Sequence, residues 1–366
     1  MDLSRISVVL PSLDPDEKLL KVIDGLLAVG FHHIILINDG SSQEHMHYFE
    51  QAALHPQVQL LHHPENRGKG AALKTAFSWF LEHRPQGLGV ITVDGDDQHH
   101  PEDTHACALE MLRTGKVILG CRDFSLGHVP KRSRFGNNAT CTVFKVFCGM
   151  TISDTQTGLR AIPRSAVEAF CRVKGDRFEY ETNMLLSMKE QNIPYGEVKI
   201  RTVYIEENKS SHFRAVRDSV RIYALILQHF FRYTLSSIVS ALVDTGVFTL
   251  LSWLLSGILG GLPLDAAATV TARVTSSLVN FFLNKTLVFH SGAPTGKALV
   301  RYYCLAVPIL LLQLGLTHGV YLLLGIADHQ TLLRTLIYVI VMTVLYIVSF
   351  VFQQRWVFRN DTKERN

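Results

Sequence analysis

The chain reads as two architectures in series: an open α/β domain of Rossmann-like character, then an all-α domain of four transmembrane helices. Three observations predict this. Short runs rich in β-branched residues alternate with helical stripes as far as about residue 200, the pattern of a parallel sheet with helices on both faces. The loops after those runs carry acids, asparagines and glycines, and the strand C-termini of such a sheet are where ligands bind. Beyond about residue 222 long apolar stretches dominate, four of them near the roughly 20 residues a helix needs to cross a bilayer.

The elements follow in order. Ile6-Ser7-Val8-Val9-Leu10 is a buried strand stopped by Pro11. From Asp16 to Val29, apolar residues at 19, 22, 23, 26 and 27 make a helical stripe. The second strand, Ile34 to Ile37, ends in Asn38-Asp39-Gly40-Ser41-Ser42, and the third is Val58 to Leu61. Asn66-Arg67-Gly68-Lys69-Gly70 then opens a helix reaching about Glu82. The fourth strand, Val90 to Val93, runs into Asp94-Gly95-Asp96-Asp97-Gln98-His99-His100, and Pro101 is suited to begin a helix. Val117 to Arg122 is a fifth strand. The basic loop Pro130-Lys131-Arg132-Ser133-Arg134-Phe135-Gly136-Asn137-Asn138 follows and leads into a helix-compatible stretch ending near Met150. A helix over 176–191 and an alternating strand from Val198 to Ile205 complete the first domain.

Hydrophobic residues make up 47% of the chain, high for a purely soluble enzyme, and the formal charge of +4 is too small to indicate nucleic-acid binding. The six cysteines show no C-x-x-C spacing, and five precede the apolar half. They are expected to be reduced cytosolic thiols, mostly in the core. Met1-Asp2-Leu3-Ser4-Arg5 leads straight into a strand, without the pattern of a signal peptide.

The chemistry concentrates at Asp94 and Asp96. They flank a glycine, so two carboxylates crowd one small volume. Anions held that close need a cation, and hard oxygen ligands select Mg²⁺ or Mn²⁺, with Gln98 offering a neutral oxygen. An isolated acidic turn more often only caps a helix; here the neighbouring loops decide. Asp39 is suited to accept from a base N–H. The Gly68-Lys69-Gly70 turn brings backbone N–H groups and a cation to a phosphate or base, without the spacing of a Walker P-loop. Four Lys/Arg around residues 122–134 form a second anion pocket opposite the acids, because guanidinium forks match phosphate oxygens.

Val8-Val9-Leu10-Pro11-Ser12, Ile37-Asn38-Asp39-Gly40-Ser41, Asn66-Arg67-Gly68-Lys69-Gly70 and Asp94-Gly95-Asp96-Asp97-Gln98-His99 together resemble the family 2 glycosyltransferases of GT-A fold. Within that family the pattern is similar to the dolichol- and polyprenyl-phosphate glycosyltransferases. The resemblance implies a nucleotide site at Pro11, Ser12, Asp14, Asp39, Gly68, Lys69 and Asp94. It implies a metal held by Asp94, Asp96 and Gln98, with Asp96 catalytic. The family often has a Glu near the end of its first loop, where this chain reads Leu13-Asp14-Pro15-Asp16-Glu17, so the acid in that role stays open. Gly120-Cys121-Arg122 matches the family's Gly-Ser-Arg. Arg122 and Arg134 are thereby implied as catalytic acceptor-phosphate groups, with Asn137 beside them and Arg132 competing with Arg134. The Asp-Thr-Gln turn at 154–156 can accept from sugar hydroxyls or hold the neighbouring loop, and Glu181 can be an N-terminal helix acid only; the resemblance puts Asp154, Gln156 and Glu181 on the acceptor and sugar side, and Lys209 and Ser210 near the diphosphate. The implied reaction is inverting, metal-dependent transfer from a nucleotide sugar of GDP-mannose or UDP-glucose type to a polyprenyl phosphate.

The expected domains are 1–207 for the transferase, 208–233 for an interfacial amphipathic helix, and 234–366 for the membrane domain. Arg214, Arg217 and Arg221 recur at helical spacing among Phe213, Val216, Val220 and Leu225, a face for anionic headgroups. Spans are expected at about 235–259, 265–288, 299–326 and 331–353. The connections after the first and third contain no Lys or Arg, whereas Lys285, Lys297 and Arg301 adjoin the second and Arg355, Arg359, Lys363 and Arg365 follow the fourth. The positive-inside rule places both termini and the catalytic domain in the cytosol of a multi-pass membrane protein. Asp244 and Arg273 are expected to pair, since a lone charge in a span is costly. Phe282-Leu283-Asn284-Lys285-Thr286-Leu287-Val288-Phe289 and Phe352-Gln353-Gln354-Arg355-Trp356-Val357-Phe358 end the second and fourth spans as a weak repeat, and the domain resembles the GtrA-like membrane domain. Gln353-Gln354-Arg355-Trp356 imitates the Q-x-x-R-W signature of processive polysaccharide synthases one residue short, and reads better as the anchor ending a span. Two other readings are a processive synthase and a lipid-linked-sugar transporter or scaffold with an inactive transferase fold. Oligomeric state is left open.

Overall fold

Buried strands set the first architecture. In the computed structural model, which describes residues 3–126, 129, 131–201, 223–224, 227–256, 262–326 and 330–359, the chain forms two units, Met1–Ile226 and Leu227–Asn366. In the first unit β1 (Ile6–Ser12), β2 (Ile34–Asp39), β3 (Val58–His63), β4 (Gly89–Thr92), β5 (Val117–Arg122), β6 (Arg160–Pro163) and β7 (Tyr195–Ile200) form one sheet in the order β3-β2-β1-β4-β6-β5-β7. Alternate side chains point to opposite faces. Val9, Ile35, Ile37 and Val90 meet Phe77 and Phe80 of α3 (Lys69–His83) and Phe170 of α6 (Arg164–Cys171) on one face. Val8, Leu10, Leu36 and Ile91 meet Leu19 and Ile23 of α1 (Lys18–Ala28) and Met111 of α4 (Pro101–Thr114) on the other. Pro101 begins α4, as expected.

Several expectations need correction. The sheet is mixed rather than parallel: β6 runs antiparallel to both β4 and β5, with Ala161 between Ile91 and Ile118. Its four residues, one of them a buried arginine, are too short and too polar to register as a strand. β1 does not stop at Pro11. Beyond Val9 it pairs only with β2, so a proline without an N–H is tolerated on the open side. The short helix α2 (Met46–Ala52) was not foreseen. The basic segment is not a loop, since residues 131–143 form α5 (Lys131–Val143), followed by a π turn at Phe144–Cys148. α7 is Glu179–Glu190. The last strand begins three residues earlier than expected, at Tyr195, and residues 202–205 of the expected strand lie outside the described residues. Of the interfacial segment, most lies outside the described residues, including the Arg214, Arg217 and Arg221 face and Lys209 and Ser210. Of the six free cysteines, Cys107, Cys121 and Cys148 are buried, Cys141 and Cys171 partly so, and Cys304 is exposed.

The second unit contains α8 (Gln228–Leu255), α9 (Leu262–Leu283), α10 (Thr295–Leu323) and α11 (Thr331–Phe352). Three candidate spans among the described residues, Phe230–Leu255, Thr295–Leu323 and Thr331–Val357, are long and apolar enough to cross a membrane, against the four expected. α9 carries Asp265, Arg273 and a run of Thr, Ser and Asn residues. Arg273 Nη1 lies 3.6 Å from Asp244 Oδ2, and Ser276 donates to Asp244 at 2.9 Å. The repeat is real in three dimensions. Asn284–Val288 and Gln353–Val357 are both π turns, and Asn284 Nδ2 donates to Gln353 Oε1 at 3.1 Å. Phe281 packs on Phe358 at 5.6 Å and its counterpart Phe350 packs on Phe289 at 5.7 Å, both tilted 38°. Gln353 is thus a buried structural residue, consistent with the anchor reading of that segment.

Candidate active site

Parallel strands deliver β1, β2, β4 and β5 to one edge by their C-terminal ends, at Ser12, Asp39, Thr92 and Arg122. Antiparallel β6 brings its N-terminal end to that same edge, where Arg160 pairs with Thr92 and Leu119. The Thr92 hydroxyl donates to the Gly158 carbonyl at 2.6 Å, which binds the loop before β6 to the loop after β4. The acids at 94–96 and the arginine at 122 therefore share one rim.

The acidic centre is internally braced. Lys69 Nζ lies 2.8 Å from Asp94 Oδ1 and 3.0 Å from Glu181 Oε1, with the Lys69 side chain only 17% exposed. His99 Nε2 stands 3.7 Å from Asp94 Oδ2. Burial works against charge on Asp94, but the neighbouring Lys69 ammonium outweighs it and holds the carboxyl below its usual range. Asp96 moves the other way: burial raises it, and repulsion from Asp94 adds to that. Gln98 N–H donates to Asp96 Oδ1 at 3.1 Å. A partly buried acid whose anion is under-compensated suits a cation. Among the described residues no three His, Cys, Asp or Glu side chains converge as a ready-made metal centre. What the chain offers is two carboxylates and an amide oxygen, all hard ligands. That set fits Mg²⁺ or Mn²⁺, which take few carboxylates and complete their shells with phosphate oxygens and water.

The nucleotide-side loops are tied together. Asp14 sits at φ 47°. Its carboxylate accepts from Ser42 N–H at 2.8 Å and its own N–H donates to Ser41 Oγ at 2.8 Å. Asp39 is buried and accepts from His63 Nδ1 at 2.6 Å, Arg67 N–H at 3.1 Å and Gly68 N–H at 2.8 Å. In this structure its carboxylate shapes the Arg67-Gly68 turn. Gly68, at φ 100°, has no room for a Cβ: the Asp176 carbonyl would lie 2.4 Å away. Pro11 pairs with Ile37 and Ser12 with Asn38.

On the acceptor side the structure redistributes the expected roles. Arg122 Nε and Nη2 donate to Asp154 at 2.7 and 3.1 Å, a bidentate pair, and its guanidinium stacks 5.1 Å from the Phe124 ring. Asp154 is completely buried and also accepts from Gln156 N–H at 3.0 Å. Its carboxylate is taken up by Arg122 and by the turn at 154–156, in keeping with holding the neighbouring loop, while the Gln156 side chain is exposed. Asn137 is likewise buried, donating to the Ser153 carbonyl at 2.8 Å, which fastens α5 to that loop. Arg134 Nη2 donates to the Leu126 carbonyl at 2.7 Å. Arg132 lies in the first turn of α5. Lys209 and Ser210 fall outside the described residues.

Residues 7–170 match the model of glycosyl transferase family 2, and residues 232–358 match that of the GtrA/DPMS transmembrane domain. The chain carries a family 2 glycosyl transferase domain followed by a GtrA/DPMS transmembrane domain. The transferase is 24% identical to UDP-N-acetylglucosamine–dolichyl-phosphate N-acetylglucosaminyltransferase of Methanococcus voltae, over 55% of this chain and 86% of that one. It is 27% identical to dolichyl-phosphate beta-glucosyltransferase of Dictyostelium discoideum, over 59% of this chain and 73% of that one. Among solved structures it is similar to glucosyl-3-phosphoglycerate synthase from Mycobacterium tuberculosis in complex with Mn²⁺, UDP and phosphoglyceric acid. That match has 15% identity and a TM-score of 0.47, and covers 61% of this chain and 77% of that one.

Three site residues of the transferase escape sequence reasoning. Arg160 is 2% exposed; its Nε donates to the Thr157 carbonyl at 3.1 Å and its Nη1 to the Glu181 carbonyl at 2.7 Å. Burial lowers its pKa, with Glu181 the strongest opposing influence. Gly158 lies against Asp94, where a Cβ would stand 2.4 Å from Oδ2. His99 is buried beside Asp94. Among the described residues Arg160 Nη2, His99 Nδ1 and Thr155 Oγ1 are buried polar atoms without a protein partner, as befits a rim that a polar ligand completes. An arginine inside a short apolar run, and a glycine two residues after Gln156, are the signals that were available.

Proposed function

We propose that the transferase moves a sugar from a nucleoside-diphosphate sugar to a polyprenyl phosphate, with a divalent ion and inversion at the anomeric carbon, producing a lipid-phosphate-linked sugar. The observation that carries this reading is the single rim on which the Asp94–Asp96 acids and the Asp154-aimed Arg122 guanidinium are joined through the 154–160 loop. The dolichyl-phosphate transferases to which the chain is similar support the lipid-phosphate acceptor. They act on different sugars by name, so N-acetylglucosamine, glucose and mannose donors all stay in contention.

Most transfers to a hydroxyl need a carboxylate base. A phosphate acceptor needs none, since a phosphate's second pKa is about 6 and its oxygen is already anionic. The difficulty is repulsion between two anionic groups. Arg122, held in one orientation by Asp154, counters the charge of the attacking phosphate, and Arg134 and Arg132 lie on the adjoining helix. Lys69 and the Gly68-Lys69-Gly70 backbone face the leaving diphosphate. Asp94, Asp96 and Gln98 would hold Mg²⁺ or Mn²⁺, which when bound supplies charge neutralisation at that diphosphate. The membrane unit anchors the enzyme where its acceptor resides, with both termini and the catalytic unit on the cytosolic side. The test is to feed labelled UDP- and GDP-sugars, with polyprenyl phosphate, to membranes containing the protein. A lipid-extractable, acid-labile phosphosugar supports the proposal; a polymer or no product refutes it.

A further inference from the structure

We propose that Lys69 is a resident stand-in for the divalent ion, neutralising Asp94 while the donor is absent and passing to the diphosphate when the metal-bound donor arrives. The inference rests on the reading of Asp94, Asp96 and Gln98 as the metal site. Its geometric basis is the position of one ammonium between two carboxylates, 2.8 Å from Asp94 Oδ1 and 3.0 Å from Glu181 Oε1.

The two carboxylates are not equivalent. Glu181 stands in the first turn of α7, and Arg160 grips its backbone carbonyl at 2.7 Å. It is the fixed anchor. Asp94 belongs to the loop that the metal would engage, so its oxygens are contested. An ammonium at 2.8 Å and a metal ion cannot both take Asp94 Oδ1 at full strength, and like charges on one carboxylate repel.

The backbone beneath Lys69 is immobilised. Gly68 N–H is held by Asp39 at 2.8 Å, Ala71 N–H donates to the Asp176 carbonyl at 2.9 Å, and a Cβ on Gly70 would lie 2.5 Å from Tyr180 Cβ. Only the flexible four-carbon stem remains to move. Lys69 is thus placed to swing while its anchor stays. The consequence is linkage: the enzyme binds the ion poorly alone and well together with the diphosphate, because only the diphosphate gives the displaced ammonium a new anion.

The test uses the full chain in detergent and Mn²⁺ binding read by electron paramagnetic resonance, first without any nucleotide and then with inorganic pyrophosphate. Lys69→Met is expected to bind Mn²⁺ alone about tenfold more tightly than wild type, the order of one partly shielded ion pair. Glu181→Gln leaves Asp94 as the ammonium's sole anion and is expected to bind Mn²⁺ alone about threefold more weakly. With pyrophosphate present, Lys69→Met becomes the weaker binder. Damage to the fold weakens binding in every variant and cannot yield the tighter one. Equal or weaker Mn²⁺ binding by Lys69→Met, when wild-type binding is present and lost in Asp96→Asn, overturns the stand-in role and leaves the metal site standing. No Mn²⁺ binding by wild type, even with pyrophosphate, overturns both.

Discussion

Adding one methyl group at Gly158 is expected to disable transfer without unfolding the protein. An alanine Cβ there would sit 2.4 Å from Asp94 Oδ2 and 3.0 Å from Asp94 Cγ. Gly158 is not among the glycines with positive φ, so an alanine brings a contact problem and no backbone strain. Its carbonyl is held by the Thr92 hydroxyl at 2.6 Å, so the loop does not retreat easily and the Asp94 carboxylate yields instead. Overpacking of this kind costs about 1–3 kcal/mol. Expressed as displacement of Asp94 from its working position, that is a loss of about 5- to 150-fold in rate. The assay is sugar transfer by purified Gly158→Ala, with the thermal midpoint measured in parallel. Gly136→Ala is the control: it lies within α5 with nothing among the described residues within 4 Å of the new Cβ, and alanine in a helix is favoured over glycine by about 0.5–1 kcal/mol. Wild-type turnover by Gly158→Ala, or an equal loss in both variants, would refute the reasoning.

Asp154→Asn removes the buried anion that aims Arg122. A stability loss of about 3 kcal/mol is expected, the low end for breaking a buried pair, because Arg122 keeps 20% of its side-chain surface. A raised KM for the lipid phosphate should accompany it, and an unchanged KM would sink the aiming role. His33, partly buried beside Trp79, is pulled from 6.5 down to about 4 by burial and by the Arg84 charge. The unfolded chain therefore binds a proton that the folded one refuses between those values. Stability is complete above pH 6.5 and falls as pH drops toward 4, by on the order of 1–3 kcal/mol for a partly exposed group. Thermal midpoints across that range should show a slope that flattens in His33→Gln. In the membrane unit, Gln353→Leu strips the partner of Asn284 and of Tyr233. It should lower the thermal midpoint by the equivalent of about 1–3 kcal/mol, and an unaltered midpoint would contradict the structural role given to the π turns.

The parts of the fold that were legible are those where one period dominates. The β-branched runs at 34–37, 90–93 and 117–122 lie in strands, with Val93 just past the end of β4, and Pro101 opens α4. Where two constraints compete, sequence reasoning fails. β6 was missed because burying Arg160 serves the site rather than the sheet. The basic stretch at 131–138 looked like a loop because its charge hides ordinary helical residues. The site shows the same division. Asp94, Asp96, Lys69 and Arg122 were visible as chemistry, and the fold brings them to one rim. Which groups face a ligand was not visible. Asp154 and Asn137 have the residue types of a binding site, yet the chain folds them inward to hold Arg122 and α5. Burial decides between those roles.

The central claim is that an anionic phosphate, and not a hydroxyl, attacks across a rim formed by the acids and Arg122. The most direct measurement offers purified enzyme either polyprenyl phosphate or the matching polyprenol, with wild type and Asp96→Ala side by side. Transfer to the phosphate alone, abolished in Asp96→Ala, is the predicted result. Comparable transfer to polyprenol, or wild-type rates from Asp96→Ala, would contradict it.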